Sequence, residues 1–485
     1  MQLECADAEP DNATRFLGLP LTQMHLTVMI DKERTEAEAL FFQGTRCMET
    51  GDVAGAEACF RQAVQIVPDF AEAYANLGLM LDRKFDTDAA EICYRRSIEL
   101  APGYSQTHLN LGVLCAGKKR FAEAEAAYEQ AIALEPGSPV GWSNLGVLYA
   151  CMKREAEAEQ CYRRALSLND SYRTARFNFS YLLLRQGRFE EGWECLEARN
   201  WYTEPAARFD CPRWQGEAVA GKSVLIVYEA GLGDVIQFCR YAEVLKERGA
   251  ASITMICHPP LKALLEGLES VNSVVSFDEK LPASGWDFWT PLLSIPYHCK
   301  TDFDSIPAKI PYLAAPHDLV EKWAALLPKN GIRVGLVWKG NTQFENDADR
   351  SLPSLDVLAS LGSVADVSFI SLQKGAGEDD AIQPPDGLHL IHIGSQLTDF
   401  ADTAAAVMNL DLVICVDTAV AHLAGALGKP CWVLLPDYKT DWRWLTDRED
   451  TPWYPGIMRL FRQPAMGDWG SVVAEVVAAL EQWEK

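Results

Sequence analysis

A period of 34 residues runs through the first part of the chain and constrains its fold more than any other feature. Successive units begin at Ala37, Ala71, Ser105 and Pro139. The repeated positions are a glycine, an alanine, an aromatic residue and a proline: Gly44, Gly78, Gly112 and Gly146; Ala56, Ala90, Ala124 and Ala158; Phe60, Tyr94, Tyr128 and Tyr162; Pro68, Pro102 and Pro136. Small residues let two antiparallel helices approach closely, the aromatic ring fills the space beside them, and proline ends the second helix. The period therefore predicts an α-solenoid of stacked helix pairs.

The order of these positions is that of the tetratricopeptide repeat. Four units are clear, and a fifth, degenerate unit runs from Arg173 to about Tyr202. We expect the fifth unit to cap the array and to join it to the next domain. The sequence thus predicts an N-terminal extension over residues 1–36 and tetratricopeptide repeats over residues 37–204.

An asparagine recurs at the sixth position of successive units: Asn76, Asn110, Asn144 and Asn178. A carboxamide both donates and accepts hydrogen bonds, so a row of them can bind the backbone of an extended peptide whatever its sequence. This row is similar to the asparagine ladder of O-GlcNAc transferase and predicts a groove for an acceptor peptide or a partner protein. The alternative is that asparagine is simply common in the "NLG" segment of this repeat, and that the repeats are a scaffold.

Charge and cysteine content limit the function classes. Asp and Glu number 68 against 44 Lys and Arg, giving a net charge of -24, which argues against general binding of nucleic acid or of an anionic membrane. The start of the chain does not resemble a signal peptide, and we find no apolar run of about 18 residues. The 14 cysteines form no C-x-x-C pair, as expected of reduced thiols. We expect a soluble cytoplasmic protein without integral membrane association and without a nucleic-acid partner.

The repeat ends near Trp214, and short β-rich runs then alternate with helical segments. "KSVLIVYE", "ASITMICH", "GIRVGLVWKG" and "LDLVICVD" are examples of these runs. The alternation predicts two successive Rossmann-like domains, each a parallel sheet with helices on its faces, over residues 205–320 and 321–485. Such sheets bind ligands beyond the carboxyl ends of their strands, so two facing sheets would form one cleft.

The first strand-to-helix turn carries "EAGLGD". Gly231 and Gly233 are expected to allow a tight turn and the close approach of a ligand, with Asp234 at the start of the helix. Ile236 occupies the place of the third glycine, so this is not a dinucleotide fingerprint. The alternative is that Asp234 is an ordinary helix cap.

A second strand-to-helix turn lies in "LVICVDTAVAHLAGALGKP". The free amides around Thr418 and Ala419, after Asp417, predict an anion site suited to a diphosphate. His422 lies one turn into the helix, where it would reach a phosphate or a sugar hydroxyl. A lone helical histidine is alternatively packed or solvated.

The span from about Pro212 to Gln463 resembles glycosyltransferase family 9, the ADP-heptose lipopolysaccharide heptosyltransferases, and particularly its tetratricopeptide-fused members. The motifs that carry the resemblance are "GLGDVIQFCRY", "PLLSIP", "RVGLVWKGN", "DRSLP", "SLQKG", "DFADTAA", "LDLVICVDTAVAHLAGALGKP" and "DWRWLTDREDTPWYP". The resemblance implies the glycosyltransferase-B fold of two Rossmann-like domains. It also implies that the C-terminal domain holds the donor nucleotide and the N-terminal one the acceptor.

The resemblance assigns roles to individual residues. Asp234 would be the catalytic base, and Asp417 would orient a sugar hydroxyl or cap its helix. Lys339 or Arg350 would be the basic contact to the donor phosphates, with Arg350 preferred because Lys339 is alternatively a solvated loop residue. The segment "DWRWL" also offers Arg443 for phosphate, with the alternative that this segment packs a loop against the sheet. The acidic triplets "DFD" and "DAD" do not directly follow a predicted strand, so we expect neither an essential metal nor a cofactor besides the nucleotide-sugar co-substrate.

The sequence therefore predicts an inverting glycosyltransferase that uses a nucleotide-diphosphate sugar, with a protein recruited by the repeats as acceptor. The layout is similar to that of O-GlcNAc transferase, in which the repeat groove delivers polypeptide to the active site. Two alternatives stay open: a repeat adaptor whose transferase domain is weakly active or inactive, and a transferase for a surface glycan.

Overall fold

A computed structural model describes residues 32–199, 201, 208–281 and 284–483. The chain divides into two compact units, Met1–Phe179 and Ser180–Lys485. The predicted extension falls mostly outside the described residues, and the first described helix already begins at Lys32. The boundary between the units lies within the fifth repeat rather than after it, so the second half of that repeat belongs with the sheet-containing unit.

The first unit is a series of helix pairs. Its helices are α1 (Lys32–Glu49), α2 (Val53–Ile66), α3 (Ala71–Arg83), α4 (Thr87–Leu100), α5 (Ser105–Gly117), α6 (Phe121–Leu134), α7 (Pro139–Cys151) and α8 (Glu155–Leu168), followed by α9 (Arg173–Arg185), which crosses the boundary. The first helix of each pair starts at or near the predicted repeat start, which confirms the register of the helices.

The repeated glycines bring the two helices of each pair together. A Cβ atom built on Gly112 would lie 2.4 Å from the ring of Tyr128, and one built on Gly78 would lie 2.7 Å from the ring of Tyr94. Both tyrosines are fully buried. The glycine and the aromatic residue of each unit thus occupy one shared space, as the sequence predicts.

The second unit begins with α10 (Phe189–Leu196) and then forms a first parallel sheet. Its elements are β1 (Ser223–Val227), α11 (Leu232–Phe238), α12 (Tyr241–Glu247), β2 (Ser252–Cys257), α13 (Lys262–Leu265), β3 (Ser273–Ser276), β4 (Phe288–Pro291) and α14 (Ile295–Cys299). The strand order is β3-β2-β1-β4, and all neighbours are parallel.

A second, larger parallel sheet comes next along the chain. Its elements are α15 (His317–Leu326), β5 (Ile332–Val337), α16 (Asp347–Arg350), β6 (Val367–Ser371), β7 (Leu390–His392), α17 (Phe400–Met408), β8 (Leu412–Val416), α18 (Ala419–Ala426), β9 (Cys431–Leu435), β10 (Met458–Arg462) and α19 (Trp469–Glu481). The strand order is β10-β9-β8-β5-β6-β7. Every residue of β8 and β9 is buried, as expected of strands covered on both faces.

In each sheet, the chain adds strands first on one side of the first strand and then on its other side. The reversal lies between β1 and β4 in the first sheet and between β5 and β8 in the second. In parallel sheets ligands bind beyond the carboxyl ends of the strands at such a reversal. The loops after β1, β5 and β8 are therefore the places where this fold presents functional residues.

The C-terminal helix completes the second sheet. Val472, Val473, Val476 and Leu480 of α19 pack into the same buried cluster as strands β5 and β8. Across the helices that the structure describes, none combines the length and the apolar character needed to cross a bilayer.

Candidate functional site

The two sheets bring their strand ends together through helices α11 and α18. A Cβ atom built on Gly233 of α11 would lie 2.9 Å from Cδ2 of His422 and 3.4 Å from the Cα of Ala419. Ala419 is the first residue of α18. The helix that carries Asp234 therefore packs directly on the helix that follows Asp417.

The conformation of the turn differs from the one predicted for its two glycines. Gly231 has extended backbone with φ of -88°, Gly233 lies inside α11, and the left-handed residue of the turn is Ala230 with φ of 55°. The absence of a side chain at Gly233 makes room for α18 rather than for a ligand. Ala230 holds a conformation that costs a non-glycine residue energy.

Asp234 is the third residue of α11 and is engaged through both carboxylate oxygens. Oδ2 accepts a hydrogen bond of 2.8 Å from the amide of Gly231, which caps the helix. Oδ1 accepts one from Nη2 of Arg443. The side chain is 20% exposed. The carboxylate of Asp234 thus caps its helix and also contacts an arginine that follows a strand of the other sheet.

Arg443 is the centre of a charged cluster that it forms with Asp234, Gln237 and Asp441. Its Nε donates to Oε1 of Gln237 over 2.6 Å, and its Nη1 donates to Oδ1 of Asp441 over 3.0 Å. The guanidinium also lies 4.4 Å from the centre of the Trp442 ring. Burial by itself lowers the pKa of Arg443, but the charges of Asp441 and Asp234 outweigh it and raise the pKa above its ordinary value. Arg443 therefore stays protonated.

Asp417, directly after β8, belongs to the same charged cluster. Burial raises the pKa of its carboxyl group to about 6, and the charge of Asp441 adds to the rise, whereas Arg350 opposes it. Arg350 lies beside the loop that follows β5, since a Cβ atom on Gly340 would come within 2.8 Å of its Nη2 atom. The predicted residues Asp417 and Arg350 are thus brought together.

Two other residues that were predicted to contact the sugar donor, His422 and Lys339, already have partners within the protein. Nδ1 of His422 and the hydroxyl of Tyr454 are 3.0 Å apart, and the imidazole stacks on Trp444 with ring centres 5.3 Å apart. Burial, with the charge of Arg443, holds the pKa of His422 well below its ordinary value, so the ring is neutral. Nζ of Lys339 donates to the carbonyl of Pro353 over 2.9 Å. These contacts favour the packed alternative for His422 and a loop-holding position for Lys339.

One polar group beside Arg443 lacks a partner. Within the described part of the chain, Nε2 of Gln237 is buried and donates no hydrogen bond, whereas Nε1 of Trp444 faces the carboxyl group of Asp417 and Oγ1 of Thr418 faces the thiol of Cys415. Gln237 and Trp444 are fully buried, and Thr418 is the N-cap residue of α18. Buried polar groups are normally satisfied, so this cluster has unused hydrogen-bonding capacity.

Sequence reasoning did not assign Gln237 and Asp441. Gln237 follows Asp234 by three residues and therefore lies on the same side of α11. Asp441 precedes Arg443 by two residues in "DWRWL". Both residues lie within motifs that carry the resemblance to glycosyltransferase family 9.

A buried ion pair supports the turn after β1. Nε and Nη2 of Arg199 donate to the two carboxylate oxygens of Glu229 over 3.0 and 2.9 Å, and Glu229 also accepts from the amide of Leu293. The side chains are 0% and 1% exposed. This pair fixes the chain two residues beyond β1, before Asp234.

The asparagine row of the repeats is buried. Asn76 and Asn110 are 5% and 4% exposed, and Asn144 and Asn178 are 0% exposed. Oδ1 of Asn110 accepts from Gln106 over 3.1 Å, and Nδ2 of Asn76 has no partner among the described residues. The four side chains occupy equivalent positions of the repeat and all are buried, Asn76 and Asn110 the least completely.

No group of three or more His, Cys, Asp or Glu side chains within residues 32–199, 201, 208–281 and 284–483 is arranged to hold a metal ion. The cysteines in these ranges are free thiols, most of them buried.

Models of the tetratricopeptide repeat match residues 71–104, 105–138 and 139–172. Residues 71–172 are tetratricopeptide repeats. The three matched tetratricopeptide repeats start where the sequence period predicts, which confirms that part of the assignment.

One curated relative matches more than half of the chain. Protein FlbA of Caulobacter vibrioides is 26% identical over 338 residues, which cover 64% of this chain and 55% of FlbA. The chain thus spans about half the length of this relative. Its similarity extends beyond the length of the tetratricopeptide repeats alone.

Solved tetratricopeptide structures are similar to part of the chain. PilF of Pseudomonas aeruginosa is 18% identical, with 44% of this chain and 87% of PilF covered and a TM-score of 0.35. YrrB, described as a tetratricopeptide protein with an unusual peptide-binding site, is 15% identical, with 35% and 86% covered and a TM-score of 0.30.

Proposed function

We propose that this protein is an inverting glycosyltransferase that moves a sugar from a nucleotide-diphosphate sugar to a protein acceptor bound by the repeats. The observation that carries the proposal is that Asp234, after the first strand of one parallel sheet, contacts Arg443 in a charged cluster that includes Asp417, after β8 of the other. Two sheets that meet at their strand reversals are the arrangement expected of a cleft for a nucleotide and a second substrate.

Asp234 is the proposed general base. A carboxylate beside the cleft accepts the proton of the acceptor hydroxyl while the hydroxyl oxygen forms a bond to the anomeric carbon. The bond between that carbon and the diphosphate oxygen breaks, and its electron pair leaves with the nucleoside diphosphate. Attack opposite to the leaving group inverts the configuration at the anomeric carbon.

Cationic and polar groups on the other sheet are suited to the leaving diphosphate. Arg350 is near enough to Asp417 for its charge to lower the pKa of that carboxyl group, and the amides of the first turn of α18 follow Thr418. Such donors stabilise negative charge that develops on the leaving group. A carboxyl group with the raised pKa of Asp417 is partly protonated near pH 6, and it then donates to a sugar or phosphate oxygen.

The resemblance to glycosyltransferase family 9 and the layout shared with O-GlcNAc transferase support the same proposal. The repeats offer Asn76 and Asn110 to the backbone of an acceptor. A negatively charged chain favours a protein acceptor over an anionic lipopolysaccharide.

The experiment is a comparison of Asp234→Asn with Asp318→Asn, an exposed acid in the first turn of α15. Each protein is incubated with a panel of labelled nucleotide sugars and a bacterial lysate, and both sugar transfer and donor hydrolysis are measured. We expect Asp234→Asn to lose both activities by at least about 100-fold, the scale of general base catalysis, and Asp318→Asn to retain them. Full activity in Asp234→Asn would exclude the assigned base.

A second function, that of an adaptor without transferase activity, is favoured by one observation. Both carboxylate oxygens of Asp234 are engaged, as they would be in a domain that has lost turnover. An adaptor would bind partner proteins through the repeats without responding to any nucleotide sugar. A surface-glycan transferase would keep the chemistry but would not depend on Asn76 and Asn110.

A further inference from the structure

Arg443 occupies part of the proposed base. Its Nη2 donates to Oδ1 of Asp234, while the amide of Gly231 donates to Oδ2. Each oxygen keeps a second lone pair, but the guanidinium on Oδ1 competes with the acceptor hydroxyl for that oxygen. Movement of the guanidinium would leave Oδ1 to the acceptor hydroxyl.

Arg443 is held from two sides. Its own amide and its Nη1 both donate to Asp441, over 2.9 and 3.0 Å, within one 3-10 turn. Its Nε donates to Gln237 over 2.6 Å and its Nη2 donates to Asp234, and both of these acceptors lie on α11. The contact with Asp441 is local, so a shift of the guanidinium toward a ligand exchanges contacts with α11 and keeps the contact with Asp441.

An unpartnered N–H group beside Arg443 indicates the kind of ligand that the guanidinium would bind. Gln237, whose Oε1 accepts from Nε of Arg443, is fully buried, and among the described residues its Nε2 atom has no acceptor. This atom is a hydrogen-bond donor beside a cation. A ligand that satisfies Nε2 and the guanidinium together carries several acceptor oxygens and negative charge, as a diphosphate does.

We propose that Arg443 is a donor-sensing gate: it holds Asp234 in the free protein and passes to the diphosphate of the nucleotide sugar, which frees Oδ1 of the base only when donor is bound. Arg443 is a positioning residue for the base and a binding residue for the donor. The gate sets the order of binding, with donor first and acceptor second. After transfer, departure of the nucleoside diphosphate lets the ion pair with Asp234 form again. This inference rests on the proposed transferase function.

The gate makes Asp234 and the donor competitors for one guanidinium. Removing the charge of Asp234 without changing its shape therefore tightens donor binding, although the same substitution stops turnover. A base that only positions an acceptor predicts no gain in donor affinity. Asp441→Asn is the matched control, because it removes an equal charge from the same guanidinium and leaves the contact with Asp234.

The test is calorimetric titration of the full chain with UDP, GDP, ADP, TDP and inorganic pyrophosphate. It compares wild type, Asp234→Asn, Asp441→Asn, Arg443→Gln and the double variant Asp234→Asn/Arg443→Gln. We expect Asp234→Asn to bind at least one of these probes about tenfold more tightly than wild type, a common size for coupling between two sites. We expect the gain to disappear in the Arg443→Gln background. Thermal melts of the same samples establish that each variant is folded.

The outcomes separate the gate from the transferase proposal. Measurable binding that is unchanged or weaker in Asp234→Asn overturns the gate and leaves donor binding intact. An equal gain in Asp441→Asn, or a gain that persists without Arg443, reduces the effect to general electrostatics and also overturns the gate. Binding of none of the probes by any of the five proteins overturns both proposals.

Discussion

Arg443 donates a hydrogen bond to Asp234 across 209 residues of sequence. The two residues come from segments that follow strands of different sheets, and each lies in a motif that the sequence points to independently. Their contact places the proposed base beside the proposed donor site. The partly buried carboxylates of Asp234 and Asp441 share this one guanidinium, which reduces the cost of their burial.

The fit between glycine and tyrosine in the repeats predicts a position-specific loss of stability. Gly112→Ala forces a methyl group to within 2.4 Å of the Tyr128 ring, and overpacking of this kind costs about 1–3 kcal/mol. Gly117→Ala is the control in the same helix, since no atom outside its immediate neighbours lies within 4 Å of the new methyl group. Urea unfolding measures both, and equal stability of the two variants would contradict the packing described here.

Breaking the buried ion pair between Arg199 and Glu229, next to the turn after β1, is expected to lower the free energy of unfolding. Glu229→Gln removes one of the two carboxylates that pair with buried Arg199, and Glu197 remains as the other. We expect a cost of about 1–3 kcal/mol, below the cost of leaving a buried charge wholly unpaired. Glu243→Gln breaks the exposed pair with Lys309, for which about 0–1 kcal/mol is expected. The free energy of unfolding in urea is the measurement. A cost below about 1 kcal/mol for Glu229→Gln would show that the pair does not support the turn.

The raised pKa of Asp417 predicts a pH-dependent stability of defined sign. Burial lifts this pKa from its ordinary value of 3.8 to about 6, so between these values the folded protein binds a proton that the unfolded chain lacks. The contribution of Asp417 to stability is therefore present at low pH and is lost as pH rises through about 6.

Asp417→Asn removes this titration. The variant should gain stability relative to wild type as the pH rises from about 4 to about 7, by up to about 3 kcal/mol. Urea unfolding at several pH values measures the difference between the two proteins, in which the other titrating groups largely cancel. A difference that does not change with pH would contradict the burial of this carboxyl group.

Substitutions in the asparagine row are expected to reduce sugar transfer to a protein acceptor without changing hydrolysis of the sugar donor. The double variant Asn76→Ala/Asn110→Ala removes the two least completely buried carboxamides of the row, and a lost hydrogen bond costs about 0.5–1.5 kcal/mol. Transfer of labelled sugar to protein should fall about fivefold or more, with donor hydrolysis unchanged. Gln130→Ala, an exposed carboxamide on α6, is the control. Equal transfer by both variants would exclude the row from acceptor binding.

Local patterns were sufficient to predict the repeats and the strands. The 34-residue period determines where each helix pair starts because glycine, alanine and the aromatic residue meet within one unit. The alternation of short apolar runs and helices predicts parallel sheets because each crossover must cover a face of the sheet. The turns that carry Asp234 and Asp417 follow from the same alternation.

Contacts between distant segments could not be predicted in this way. The pairing of Arg443 with Asp234, and that of Arg199 with Glu229, depend on how separate elements pack and leave no local pattern. The packing of Gly233 was not predicted for the same reason, because its space is filled by His422 from a helix far along the chain. The strained turn residue, Ala230, has no sequence signal of the kind that glycine gives.

The most direct test of the central claim is a thermal-shift titration with UDP, GDP, ADP, TDP and CMP. Wild type is compared with Arg350→Ala and with Arg459→Ala, a partly exposed arginine on the edge strand β10. A ligand that binds the folded state raises the melting temperature, so we expect one nucleoside diphosphate to stabilise wild type and Arg459→Ala but not Arg350→Ala. Stabilisation by none of these nucleotides at millimolar concentration would contradict a nucleotide-sugar site and would favour the adaptor.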